Sequence, residues 1–350
     1  MDAAAAGDFS WGVRMILRGL FVAFAAGLLA SGPAFAHHSP AAFDMTAEVI
    51  VEGKVAGLEW KNPHLYLTIE TVGADGEMAL QEIEGGSLSI VRTFGLTREL
   101  LPPGARVAVR GNPSRRSGGP VRGLDVAMSG GAIYALNPEG RDTAPPAFTP
   151  AASLAGAWVA SSTDFNAFLA GARSWPLTET ARAGAADAYA TVISPGACEA
   201  WPPPMLTALP YLRAIEIGEA AVVIRFDAAG VDVVRTIRLD LAAHPAVLEP
   251  SLIGHSIGRW EGDSLVVDTV GFAPHHSGLA PGSPSGARKH MVERLSLTED
   301  RLHLMHEFTL EDPDHLAEPV SFTALWDHRP DLDPSGEACD PENARRFLEE

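Results

Sequence analysis

The sequence predicts an all-β chain in two parts. A small OB-like barrel is followed by a larger antiparallel meander, which makes a calycin-like barrel or a curved sheet. Three observations predict this. Alternating runs rich in β-branched residues succeed one another from Ala47 to Tyr134 and again from Ala220 to His328. Turn signals separate them, without the strand–helix alternation of an α/β chain. Between the two sets lies "NPEGRDTAPPAFTPAAS", residues 137–153, which has no periodicity and reads as a linker.

At the N-terminus, Arg14 and Arg18 precede the apolar run "LFVAFAAGLLA" and an A-x-A site at Ala34 to Ala36. The run is too short to span a bilayer and has the form of an export signal covering 1–36, with translation starting at Met1 or Met15. The expected location is a periplasm, with no stable membrane insertion after cleavage. Cys198 and Cys339 then form one disulfide or remain two buried thiols; in the chain-entropy model so long a loop is worth roughly 4–5 kcal/mol.

Residues 37–136 are the OB-like part. "AEVIVEGKVAGLEW" and "HLYLTIETV" alternate as strands. A short helix falls at Leu88 to Phe94 or Thr97 to Leu101, before a strand at Arg106 to Arg110. A last hairpin turns at Gly130-Gly131. Residues 154–350 are the larger part. A helix is expected over Pro176 to Ala190. Hairpins then turn at Ala228 to Gly230, Glu261 to Asp263 and Glu299-Asp300, and "EPVSFTALWDH" adds one more strand. About seven sequential antiparallel strands must close or stack to hide their edges.

Hydrophobic residues are 46% and charged residues 20% of the 350, enough apolar content for two cores and against wholesale disorder. The net charge is -18; His37 to Asn137 contributes 11 acids and 9 bases, so nearly all the excess lies further on. Such a surface repels phosphate backbones and excludes nucleic acid as a partner.

The stretch "GHSIGRWEGDSLVVDTVGF" begins with G-x-S-x-G, the nucleophile-elbow pattern of serine hydrolases. An elbow needs a helix directly after the serine. Here Gly262 and the Val-Val-Asp-Thr-Val run make strand and turn instead, so Ser256 is expected in a strand and the glycines at turn or close-packing positions. With "CEAWPPPM" upstream and "MVERLSL…LEDP" downstream, this run resembles a family of uncharacterised exported bacterial β-proteins over about 195–345. "AHHSPAAFD" and "VEGKVAGLEWKNPHLYLTIE" resemble the exported DUF6152 family over about 37–136. Both resemblances imply architecture and no chemistry.

Two constellations could carry chemistry. Cleavage after Ala36 would give His37 a free α-amine, followed by His38, with His64 of the same domain as a third donor for copper or zinc. The alternative is a polar tail and a surface turn. In the larger part, His306 shares the apolar strand face of Leu304 and Phe308, and Glu293 shares that of Leu295. Counting out from a turn at Glu299-Asp300 pairs Glu293 with His306 across the hairpin. The pair is an acid–base dyad, with Asp268 and His255 as further catalytic candidates, or a structural pair that fixes register. Arg259, Trp260, Glu261, Phe308 and Trp326 are candidate ligand contacts, the aromatics lining a lumen or simply filling a core. The functional expectation is an exported accessory protein that holds a small apolar molecule. The alternative is an isomerase, hydratase or lyase built on the Glu293–His306 pair.

Overall fold

The computed structural model describes residues 42–73, 76–141, 148–183, 198–333 and 336–345. The export signal, His37 and His38 lie outside them, as do residues 184–190 of the helix expected over Pro176 to Ala190; its described part is helical over 179–183. No described helix is long and apolar enough to cross a membrane.

Six strands make the first part: β1 (Val49–Glu59), β2 (Tyr66–Val72), β3 (Met78–Glu84), β4 (Arg106–Asn112), β5 (Val121–Met128) and β6 (Ile133–Ala135). The sheet order is β3-β2-β1-β4-β5-β6, and a β3–β5 pairing closes the first five into a barrel. Between β3 and β4 sit α1 (Leu88–Thr93) and a 3-10 turn at Arg98–Leu100, so both candidate helix positions are occupied. This strand order with its β3–β4 helix is OB-like. Alternate residues of β2 turn inward, and Leu67 and Ile69 are wholly buried with Ile83, Val109 and Val126.

The second part is a closed barrel of nine strands: β7 (Gly156–Ala160), β8 (Leu212–Ile217), β9 (Ala221–Ala228), β10 (Val231–Arg238), β11 (His255–Glu261), β12 (Ser264–Val270), β15 (His290–Leu297), β16 (His303–Glu311) and β17 (Val320–His328). A small hairpin, β13 (His275–Ala280) with β14 (Ser283–Ser285), interrupts the meander after β12. The turns at Ala229-Gly230 and Gly262-Asp263 fall where expected.

A ring of strands can be antiparallel throughout only if their number is even. Both barrels are odd, five and nine, so each must contain a parallel seam. It is β3–β5 in the first and β10–β11 in the second. Parallel neighbours need a long return, and residues 239–254 supply it between β10 and β11. The expected pure meander is therefore broken at this joint.

The end of the barrel where β16 finishes and β17 starts is covered by α2 (Ser162–Ala172) and α3 (Met205–Ala208). The Ser161 hydroxyl caps α2 by accepting the Asp164 N–H at 3.4 Å. Phe168 of α2 then packs edge-on against Phe322 and Trp175. A segment carrying α4 (Pro341–Arg345) ties the two barrels together. The Cys339 N–H donates to Gly230 at 2.9 Å and the Asp340 N–H to Asn62 at 2.9 Å, while Cys198 and Cys339 form a disulfide. The described residues accordingly form one compact unit.

Candidate functional site

The interior of the nine-stranded barrel is filled by its own side chains, including Trp158, Phe226, Phe308 and Trp326. Within it lies a charged network. Arg235 of β10 donates from Nη1 to Glu293 Oε1 at 3.0 Å and from Nη2 to Oε2. Its Nε donates to Ser256 at 3.1 Å, and Nη2 also reaches Thr269 at 2.8 Å. His306 Nε2 donates to Glu293 Oε1 at 2.9 Å, and its ring lies 4.7 Å from that of Trp326. Beyond that indole, the Arg213 guanidinium stacks at 4.2 Å and donates to the Thr207 and Leu209 carbonyls.

Burial alone would raise the Glu293 carboxyl, but Arg235 and the bond from His306 overcome it and bring it down to about 2. Burial pushes His306 below its ordinary value of 6.5, so it stays a neutral donor. Glu293 and His306 are each 1% exposed, and Arg235 already neutralises the carboxylate. This geometry favours the structural reading of the pair, a satisfied network in which each charge has its partner. The register differs from the count made on the sequence. The β15–β16 loop spans 299–302, with Arg301 at φ 60°, so Glu293 faces Phe308 and His306 faces Leu295. The offset is two residues, which preserves the face, and the two side chains still meet diagonally.

Ser256 lies in β11, 2% exposed, with Thr269 Oγ1 at 3.0 Å and Arg235 as its partners. The elbow motif is thus a strand entry. Gly254 sits at φ +68°, where a Cβ would come 2.8 Å from the Val270 carbonyl. At Gly258 a Cβ would meet Ile237 at 2.6 Å.

Asp268 and His255 are not part of the interior network. By the period of two they project from the outer wall, and the structure joins them through residues the sequence reading passed over. His244, on the β10–β11 return, stands 2.8 Å by Nδ1 from His255 Nδ1 and 2.9 Å by Nε2 from Asp268 Oδ1. His290 Nε2 reaches the same Oδ1 at 3.2 Å, and Glu311 lies 3.7 Å from its Nδ1.

The end of the barrel remote from α2 is open. Here a hollow of about 590 Å³ is lined by Leu154, Ile217, Trp260 and Leu297, with Asp263, Glu299 and Arg301 at its rim. Trp260 is 41% and Ile217 40% exposed. Arg259 and Glu261 alternate onto the outer wall, paired to each other at 2.7 Å and joined by Arg294. Phe308 and Trp326 are core. The five ligand candidates therefore divide among hollow, wall and interior.

In the first barrel, His64 Nδ1 donates to the Gly85 carbonyl at 3.1 Å and lies 3.6 Å from Glu84, whose carboxyl is raised by burial. Among the described residues no three His, Cys, Asp or Glu side chains converge to hold a metal ion.

Arg235 had a legible signal. In "VDVVRTIR" it shares the face of Val233 and Ile237, and a lone guanidinium on an apolar face requires a buried acid. His244, in "LAAHPAV", had none. Residues 26–124 match the family DUF6152, described as a family of unknown function, so the N-terminal domain is DUF6152-like. No curated protein matches the chain.

Proposed function

We propose that the protein is an exported, periplasmic accessory protein that holds a small, mostly apolar molecule at the open mouth of its C-terminal barrel. One observation carries this: the Trp260 indole stands exposed beside Ile217 over a hollow of about 590 Å³. That volume suits a small ligand, barrel mouths are common ligand sites, and a few polar groups at the rim would orient the bound molecule. The packed interior supports the mouth over the lumen. A neutral naphthylamine dye should bind saturably and quench Trp260 fluorescence. Trp260→Ala and Ile217→Asp should each weaken binding about tenfold or more, and unchanged affinity in both would overturn the reading.

A second reading, a copper or zinc ion held by His37, His38 and His64, is favoured by the buried Glu84 carboxyl beside His64. Copper titration of correctly processed protein against a form lacking His37 tests it; equal affinity would end it.

A further inference from the structure

The wall cluster lies at the far end of β11 from Trp260, so it is separate from the hollow. Its proton positions follow from its geometry. An ionised Asp268 only accepts, so both His244 and His290 must donate to it from Nε2. A neutral His244 with its proton on Nε2 offers Nδ1 as an acceptor. The one proton in the 2.8 Å bond between the two Nδ1 atoms then belongs to His255. His255 is thereby fixed in the Nδ1–H tautomer with its lone pair on Nε2. That nitrogen has no hydrogen-bond partner among the described residues and is not sealed from solvent.

We propose that His255 is a general base, and that His244 and Asp268 are positioning residues of a proton relay, acting on an enolisable carbonyl compound. A C–H bond beside the carbonyl breaks, its electron pair passes into the carbonyl system to leave an enolate, and the proton bonds to Nε2 of His255. The Nδ1 proton crosses to Nδ1 of His244, and the imidazolium so formed lies against the Asp268 carboxylate. Reversal returns a proton to the same or another carbon, so no oxidant or second substrate is consumed.

Among the described residues no side-chain hydroxyl or thiol is bonded to Nε2 of His255, so the proposal takes the proton from the substrate. The neighbouring hydroxyls, Ser256 and Thr269, face the interior, and both cysteines are in the disulfide. Several charged groups surround the base: Arg238 of β10, paired with Asp240, then His244, Asp268, His290 and Glu311. Burial, His244 and Arg238 together hold His255 below its ordinary value of 6.5, which favours the unprotonated base.

The test is deuterium uptake by acetylacetone and acetone in heavy water, followed by proton NMR with the full mature protein, alongside a histidine nitrogen–proton correlation spectrum. The expected result is uptake above the buffer rate, cut about tenfold or more by His255→Gln. Asp268→Asn should slow it and move its pH midpoint down, since the relay imidazolium loses its counter-charge. The spectrum of the unaltered protein should show His255 protonated on Nδ1. Ile50→Ala, exposed on the first barrel, should leave uptake unchanged, and His255→Gln should leave dye binding at the hollow unchanged, which keeps the two tests apart. Uptake at the buffer rate, equal rates for folded His255→Gln and the parent, or a His255 proton on Nε2 would overturn the proposal.

Discussion

Arg235 and Glu293 form a two-pronged ion pair inside the nine-stranded barrel, each 2% or less exposed, although β11 and β12 run between their strands. The pair ties the parallel seam at β10 to the antiparallel hairpin at β15. Removing one partner leaves the other charged and dry. Glu293→Gln should therefore cost about 3–5 kcal/mol of unfolding free energy in urea titration. Replacing Arg235, Glu293 and His306 together by Met, Leu and Leu should recover most of that loss, because no buried charge is then stranded.

Acid should weaken the fold in two stages. The folded value of His306 lies below 6.5, so only the unfolded chain takes up that proton, and stability falls as the pH drops through 6.5. Glu293 is brought from 4.5 to about 2, so its contribution is present above 4.5 and is lost as the pH falls toward 2. Thermal melts between pH 7 and pH 3 read both stages. In Glu293→Gln the second should flatten.

Lys289 gives a slope of the same sign at higher pH. The residue is 1% exposed, and its Nζ donates to the Pro203 and Gly278 carbonyls at 2.9 and 3.1 Å and lies 4.2 Å over Phe272. Burial lowers the amine from 10.5 to about 7. Above 7 the unfolded chain holds the extra proton, so stability should rise with pH, by up to about 1.4 kcal/mol per unit until the tyrosines titrate. Urea midpoints across this range check it, and Lys289→Met should abolish the slope.

The Cys198–Cys339 disulfide spans 141 residues, and its reduction should cost about 5 kcal/mol or less in the chain-entropy model. The loss should begin locally. Hydrogen exchange should quicken first at Cys339 and Asp340, whose N–H groups join Gly230 of the second barrel and Asn62 of the first. Simultaneous loss across both barrels would refute this order.

Much of the local pattern was legible because strand side chains alternate with a period of two. That period placed Ser256 and Trp260 on one face of β11 and Arg259 and Glu261 on the other. It also kept Glu293 and His306 together when the loop count was off by two, since an even slip does not change the face. It could not reveal β7 or β8, which are short and lie in poorly patterned sequence; each is recognisable only through the neighbours it pairs with.

The sequence by itself determined two β-built parts, the hairpin turns at Ala229-Gly230 and Gly262-Asp263, and the strand character of the elbow motif, because these depend on neighbouring residues alone. Only the tertiary structure decided which polar groups meet. It assigned Glu293 and His306 to a sealed ion network by bringing Arg235 from three strands away. It joined His255 to Asp268 by folding the β10–β11 return so that His244 lies between them. Contacts of that kind are set by how the ring of strands closes, and closure is a property of the whole barrel.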